Sequence, residues 1–332
     1  MEMTKNKIEL ISLKSDDLKS EHFAKDILYG LSKKQKTIPS LYFYDKKGSE
    51  IFENICDLDE YYQTRAEAQI LQKFSEKIAA NSSKDTDIIE LGSGSSVKTK
   101  ILLDAFILKN GFADYFPIDI SGKFLLESSQ LLSESLPELN INPIAARYNA
   151  GLEYIFNKKL KSPKLVLWLG SSIGNLNKDE STSFLRNIYS IFKGNDRILI
   201  GMDLKKDRQI LENAYDDSLN VTADFNLNLL SRINSELAGR FDLSKFKHRA
   251  IYNENKGGIE MHLVSLTEQS VFIGALNKTF YFEKDEYIHT ENSYKYNFED
   301  ILNLAKDSGF KLTNHWLDDK NLFSLNEFIK NK

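Results

Sequence analysis

The segment Ile88-Ile89-Glu90-Leu91-Gly92-Ser93-Gly94-Ser95-Ser96 reads as an apolar strand running into a glycine turn and then a helix. Glycine lets the backbone approach a ligand and take positive φ, and a helix N-terminus offers unpaired N–H groups. Three ligand classes use such a turn. The dinucleotide fingerprint GxGxxG is met at Gly92 and Gly94, but Val97 holds its third position, which disfavours NAD. The phosphate loop GxxxxGK[ST] is met at Gly92, Lys98 and Thr99, but Val97 again replaces the required glycine, which disfavours ATP. The third class is S-adenosylmethionine, which brings no pyrophosphate and needs only an acidic residue with Gly-x-Gly. Glu90-Leu91-Gly92-Ser93-Gly94 supplies both. Asp119 ends the next apolar run, where a carboxylate can accept both ribose hydroxyls. A tight turn without a ligand is the plain alternative.

A second glycine motif, Gly170-Ser171-Ser172-Ile173-Gly174, matches the GxSxG nucleophile elbow of serine hydrolases. That elbow needs a helix directly after the serine. Asn175-Leu176-Asn177 intervenes, so residues 170–175 read as a ligand loop at a strand end. The five histidines, His22, His248, His262, His289 and His315, form no HxH or HExxH pattern. With Cys56 the only cysteine, a zinc site has few candidate ligands, and a metal-independent protein is expected. One cysteine excludes an internal disulfide and fits a reducing, cytoplasmic setting.

Strand ends must hold these residues. Residues 65–80 place Ala66, Ile70, Leu71, Phe74 and Ile78 on one helical stripe. Strands are expected at 87–91, 115–120, 164–169 and 196–203. Helices are expected at 96–109, with Val97, Ile101, Leu102, Ala105 and Phe106 inward, and at 179–192, closed by Gly194. Ser121 is placed to cap a further helix. Strand, helix, strand in this rhythm implies a parallel sheet covered on both faces. Helices at 206–217 and 223–239 then follow without a strand between them, and antiparallel strands at 248–254, 259–267 and 270–273. From Asn297 a capped helix and a closing strand pair, 310–316 and 322–328, restore the α/β character. The reading is an α/β fold interrupted by an inserted α+β domain. Its parts are 66–204 with 296–332, and 1–65 with 205–295.

Across 332 residues, 44 Lys and Arg against 48 Asp and Glu give −4, which disfavours a general nucleic-acid binder. The basic run Lys158-Lys159-Leu160-Lys161 reads as solvated surface. Apolar residues at 41 % suffice for a normal core. No apolar run approaches the about 20 residues of a membrane span, and Met1-Glu2-Met3-Thr4-Lys5-Asn6-Lys7 opens no signal-peptide core. A monomer acting on a small molecule, without nucleic acid or membrane, is expected.

Eight blocks together resemble the histidine-specific Nα-methyltransferases of ergothioneine biosynthesis, over nearly the whole chain. They are Pro39-Ser40-Leu41-Tyr42-Phe43-Tyr44-Asp45-Lys46-Lys47-Gly48-Ser49, Glu60-Tyr61-Tyr62-Gln63-Thr64-Arg65-Ala66-Glu67, and Glu90-Leu91-Gly92-Ser93-Gly94-Ser95-Ser96. They continue as Leu169-Gly170-Ser171-Ser172-Ile173-Gly174-Asn175, Tyr215-Asp216-Asp217, Phe225-Asn226-Leu227-Asn228, Ile259-Glu260-Met261-His262-Leu263, and Ile288-His289-Thr290-Glu291-Asn292-Ser293-Tyr294-Lys295-Tyr296. The resemblance implies a Rossmann-like class I methyltransferase sheet with S-adenosylmethionine as co-substrate. It places cofactor contacts on Tyr44, Gly92, Gly94, Lys98 and Asp119. Where the family has an Asp-Phe pair beside the adenine, this chain reads Arg147-Tyr148. Tyr148 keeps a ring there, but Arg147 cannot accept from the adenine amine. Either that contact differs here or the correspondence shifts by a residue or two.

The resemblance further implies substrate contacts from Tyr61, Asn175, Tyr215, Met261, Glu291 and Ser293. Tyr61, Asn175 and Tyr215 can each donate to a carboxylate. Glu291 and Ser293, two apart in an extended segment, face the same way and can serve the two imidazole nitrogens. By pattern alone Met261, between Ile259 and Leu263, reads as core. The implied reaction moves methyl groups to the α-amine of histidine, up to three times, with Tyr44 positioning the amine. The rival readings are a related enzyme for another amino acid such as tryptophan, a non-catalytic binder of S-adenosylmethionine or an amino acid, and the serine hydrolase.

Overall fold

The computed structural model describes residues 8–13, 20–158 and 161–331. Met1 to Lys7, with Lys159 and Leu160 of the basic run, lie outside the described residues. The strands are β1 (Ile11–Ser12), β2 (Asp87–Leu91), β3 (Ala113–Asp119), β4 (Leu139–Ile141), β5 (Ile144–Ala145), β6 (Lys164–Trp168) and β7 (Arg197–Asp203), followed by β8 (Phe246–Asn253), β9 (Gly258–Ser265), β10 (Gln269–Ile273), β11 (Lys278–Phe282), β12 (Tyr287–Tyr294), β13 (Phe310–Leu317) and β14 (Phe323–Lys330). The helices are α1 (Ser20–Leu31), α2 (Lys46–Cys56), α3 (Tyr62–Ala80), α4 (Val97–Asn110), α5 (Gly122–Ser135), α6 (Tyr148–Asn157), α7 (Lys178–Ile191), α8 (Arg208–Asn213), α9 (Val221–Leu237) and α10 (Phe298–Asp307).

The large sheet runs β1-β5-β3-β2-β6-β7-β14-β13, with β4 on β3. It is parallel except for β14, antiparallel to β7 and to β13. The Rossmann-like class I arrangement expected from the sequence is therefore present, closed by an antiparallel strand pair. Strands β2 and β6 are buried at every position because helices cover both faces. Strand order reverses between β2 and β6, so their C-terminal ends open the crevice where α/β sheets bind ligands.

A three-stranded antiparallel sheet, β12-β9-β8, and the hairpin β10-β11 stand apart from it. Leu229, Leu230 and Ile233 of α9 pack on the small sheet, and Phe23, Ile27, Tyr42 and Phe43 join the same core. The division into 66–204 with 296–332, and 1–65 with 205–295, follows these cores as a proposal. One pairing cuts across it: residues 11–12 form β1 on the edge of the large sheet, against β5.

Several local expectations change. Val97 is 70 % exposed: it opens α4 just after Ser96, whose backbone is left-handed, while Thr99 in the same turn is buried. The Ser121 side chain does not cap α5; its backbone N–H instead donates to Asp119 at 2.8 Å. Helix α8 is six residues long, starting at an Asp207 cap, much shorter than the expected 206–217. Residues 270–273 pair with β11, not with the sheet of β8 and β9. Helix α7 ends at Ile191 with Phe192 as its cap, so Gly194 lies one residue beyond C′.

Candidate active site

The turn after β2 needs its glycines. Gly92 and Gly94 have φ of +69° and +52°, and a Cβ on Gly92 would stand 2.5 Å from the Tyr148 hydroxyl oxygen. Tyr148, at the start of α6, packs its ring against Trp168 and Phe184. Asp119, the last residue of β3, accepts from the Gly94 N–H at 3.2 Å and the Ser121 N–H at 2.8 Å. Burial nevertheless raises its carboxyl above the usual range. Ser93 Oγ, inside the same turn, is buried without a partner among the described residues. A close backbone approach, an unsatisfied hydroxyl and a carboxylate at the next strand end fit the nucleoside of S-adenosylmethionine. Arg147 stands just before α6 in extended backbone, and its charge reaches the Tyr42 phenol.

Two acidic groups near the turn face inward. Glu90 accepts from Thr99 Oγ1 at 2.5 Å and from the Tyr115 hydroxyl, so it ties α4 and β3 to β2. Burial pushes its carboxyl up to about 7 against those two donors. Glu67 of α3 pairs with Lys98 at 2.5 Å and accepts from the Gly170 N–H at 3.0 and 2.9 Å. Burial disfavours the charged Lys98, but Glu67 outweighs it and holds the ammonium protonated. Lys98 thus links the ends of β2 and β6 through Glu67.

The opposite wall is β12. Glu291 lies across from Met261, and Ser293 across from Ile259, so all four share one face. A register shift between His289 and Glu291 leaves Thr290 as the extra residue, its hydroxyl donating to the Met261 carbonyl at 3.0 Å. Met261 is 1 % exposed and packs with Ile259 and Leu263, so its burial matches the core reading as well as a ring contact. Asn175 ends a one-turn 3-10 helix, Ser172–Asn175, and its side chain favours the ionised Glu291 carboxylate. That turn lies on β12 so closely that a Cβ at Gly174 would be 2.8 Å from the Tyr294 carbonyl oxygen. Burial pushes the Glu291 carboxyl up to about 7, with Lys295 and Asn175 opposing. The Tyr215 hydroxyl is 2.7 Å from Ser293 Oγ, and the Tyr61 ring centroid is 6.2 Å from that of Tyr215.

Tyr44 lies between the two walls. Burial raises its phenol well above the usual value, and Glu291, Tyr148 and Asp119 all add to the shift. Its ring meets Phe52 and Phe225 edge-on. The structure therefore brings Tyr44, Tyr61, Asn175, Tyr215, Glu291 and Ser293 together opposite Gly92, Asp119 and Tyr148. Ser172, the elbow serine, donates to the Leu169 carbonyl at 3.1 Å, and a single 3-10 turn follows it in place of a helix.

Sequence reasoning assigned no role to a buried polar group behind this site. Lys295, on β12, and Asp203, at the end of β7, are 0 % exposed along their side chains and pair at 2.8 Å. Lys206, Tyr62 and Gln63 also bind Asp203. Burial alone would raise the Asp203 carboxyl, but Lys295 and Lys206 hold it below the usual range. The period-two series Glu291, Ser293, Lys295 was the available signal for Lys295. Asp203 carried none, because Lys295, Tyr62 and Gln63 lie far away in sequence and only Lys206 is near.

The fold also gathers Glu260, His262 and His289, whose ligand atoms lie within 4.8 Å of one another. Arg249 donates to His262 Nδ1 at 3.1 Å, which puts the ring proton on Nε2, facing Glu260 at 3.2 Å. In that tautomer His262 has no lone pair for a metal. Burial pushes its pKa down to about 4.

The comparisons with known proteins agree with this geometry. A family described as histidine-specific methyltransferase, SAM-dependent, matches residues 23–329. The chain is 35 % identical to the histidine N-alpha-methyltransferase of Mycolicibacterium smegmatis, covering 97 % of this chain and 99 % of that one. It is 30 % identical to ergothioneine biosynthesis protein 1 of Schizosaccharomyces pombe, covering 86 % of this chain and 38 % of that one. Similarity extends to an L-tryptophan methyltransferase of Psilocybe serbica, 28 % identical over 92 % of each chain. By its sequence over nearly its whole length, the chain belongs to the S-adenosylmethionine-dependent, histidine-specific methyltransferase family.

Proposed function

We propose that this protein methylates the α-amino nitrogen of L-histidine, up to the trimethylated product hercynine. The observation that carries the reading is Glu291 and Ser293 on one face of β12, beside Asn175 and Tyr215. An imidazole has two nitrogens to satisfy, and a carboxylate and a hydroxyl two residues apart can satisfy both. A site built to pair them rejects rings that cannot reciprocate.

S-adenosylmethionine supplies an electrophilic methyl group when bound. Gly92, Gly94, Asp119 and Tyr148 are proposed to hold its nucleoside, with Lys98 steadying the turn through Glu67 and Arg147 at the adenine side. Tyr61 and Asn175 hold the amino-acid carboxylate, with the Tyr215 ring beside them, and Met261 packs beneath the ring. The α-amine must be neutral to attack. Tyr44 is the group placed to orient it or a water that takes its proton. Alignment of nitrogen with the methyl carbon supplies much of the acceleration. The aromatic faces of Tyr44 and Tyr61 can hold the growing methylammonium by cation–π attraction. The proposed chemistry uses no metal, takes place in the cytoplasm and needs one copy of the chain. Among the described residues no helix is long and apolar enough to cross a membrane.

The test is direct. The protein is incubated with S-adenosylmethionine and each amino acid in turn, and products are weighed by mass spectrometry. Histidine should gain one, two and three methyl groups, and phenylalanine and tryptophan none. Equal methylation of histidine and phenylalanine would end the ring-recognition reading.

A further inference from the structure

We propose that buried Lys295 and Gln63 act together as positioning residues that make the Ser293 hydroxyl a hydrogen-bond donor to the substrate ring, so that only uncharged imidazole is accepted. The proposal rests on the reading that Glu291 and Ser293 face the ring.

The argument is a count of protons and lone pairs. An ammonium has three donors and no acceptor. The three donors of Lys295 are all spent: on Asp203 at 2.8 Å, Tyr215 Oη at 2.9 Å and Ser293 Oγ at 2.9 Å. Gln63 Nε2 donates to Asp203 at 2.9 Å and to Tyr215 Oη at 3.0 Å. The reverse amide orientation would set a carbonyl oxygen against the Asp203 carboxylate, so this one is fixed. Tyr215 Oη therefore accepts from both Lys295 and Gln63, and its two lone pairs are filled.

Ser293 Oγ lies 2.7 Å from Tyr215 Oη. With no lone pair left on the tyrosine, the serine cannot donate to it. The tyrosine must donate, and it donates to Ser293, the acceptor at hydrogen-bond distance. Lys295 and Tyr215 then fill both lone pairs of Ser293 Oγ, and the serine hydrogen is directed elsewhere, toward the face it shares with Glu291. A donor there pairs with a ring nitrogen that carries a lone pair. Glu291, as a carboxylate, accepts from the other nitrogen's N–H. Imidazolium has N–H at both nitrogens and would meet the serine hydrogen head-on.

The charged and titratable groups around the ring position are Glu291 and Lys295 on β12, Tyr215 after α8, Tyr61 at the start of α3 and Tyr44. Asp203, Lys206 and Tyr62 lie behind Lys295. Glu291, its carboxyl raised by burial to about 7, changes charge within the tested range, but it acts alike on two uncharged rings that each offer an N–H, so a ratio between neutral histidine and triazolylalanine cancels that change.

The experiment compares histidine with 3-(1,2,4-triazol-3-yl)alanine. This analogue has the same ring size, keeps an N–H and a lone pair, and stays uncharged at pH 5. The kcat/KM ratio of histidine to triazolylalanine is measured from pH 7 to pH 5. The imidazole of free histidine titrates near about pH 6.5, so the ratio should fall roughly 25-fold over that range in the wild-type protein. Lys295→Met frees a lone pair on Tyr215, so Ser293 can turn and accept. The fall should then shrink to less than about fivefold, because a serine free to accept tolerates the second N–H. S-adenosylmethionine affinity, measured by calorimetry, reports whether the variant is folded. Gln63→Leu frees the same lone pair from the other side and should flatten the ratio too, if Lys295→Met does not fold. A flat wild-type ratio would overturn the proposal. So would an undiminished 25-fold fall in a folded variant. If neither compound gains a methyl group, it is the underlying reading of the ring site that fails.

Discussion

Asp119 is held by backbone N–H groups from both sides before any ligand arrives. Its carboxylate is therefore pre-set at the end of β3, and removing it leaves ligand hydroxyls without an acceptor. Asp119→Ala should weaken S-adenosylmethionine binding by about 1–3 kcal/mol in calorimetry. Glu291 is the matching group on the substrate side. Glu291→Gln keeps the shape but loses the charge, and should raise the KM for histidine roughly 10–100-fold, from the about 1.5–3 kcal/mol of a charged hydrogen bond. The KM for S-adenosylmethionine should hardly move. The spacing of Glu291 and Ser293 was legible because strand periodicity puts i and i+2 on one face. Glu90 was legible as a residue and not as a role. Its neighbours Thr99 and Tyr115 turn it inward, and sequence order does not reveal which way a buried carboxylate points.

Asn177 and Glu180 form a reciprocal capping box at the start of α7. Asn177→Ala should cost about 1 kcal/mol and lower Tm by about 2 °C in calorimetric scans. Elements bounded by such local chemistry were the ones read correctly. Strand β2 begins and ends where the apolar run does, and α10 starts at its Asn297 cap. Elements without such a boundary signal were read only in part: residues 270–273 were expected as a strand, but its hairpin partner β11 was not. The β10-β11 hairpin pairs through residues such as Val271 and Phe280, whose short mixed runs carry no strand period strong enough to name a partner. The one-turn helix before Asn175 is likewise fixed by packing on β12. Gly174→Ala would force a Cβ against the Tyr294 backbone, so it should lower kcat/KM for histidine while leaving S-adenosylmethionine affinity near normal.

Across the whole molecule, burial of carboxylates decides how stability depends on pH. Glu90 has a folded pKa of about 7 against an ordinary 4.5. The folded protein then binds more protons than the unfolded chain between those values, so this group lowers stability as pH rises through that window. Asp203, held below the usual range, acts oppositely: its contribution is present above the ordinary carboxylate pKa and is lost as pH falls through its folded value. Glu90→Gln removes the first effect. Its stability relative to wild type should improve from pH 4.5 to pH 7, by on the order of 3 kcal/mol, and level off above. Urea titrations at a series of pH values measure that difference. None of this was visible in a net charge of −4, which says how many carboxylates there are and not which are buried.

The position of β14 between β7 and β13 has a consequence for synthesis. Strand β7 leaves the ribosome with one side paired to β6 and its other side open. Its partner β14 follows only after residues 204–322, a delay of roughly 6–24 s at about 5–20 residues per second. Through that interval the nascent sheet presents a long, apolar, unprotected edge, the kind of surface that recruits other chains. The small sheet and α9 lie entirely within the same segment, so folding them shortens the tether between β7 and β14. The inserted segment that builds the substrate wall thereby also sets how long that edge of β7 waits for its partner during synthesis.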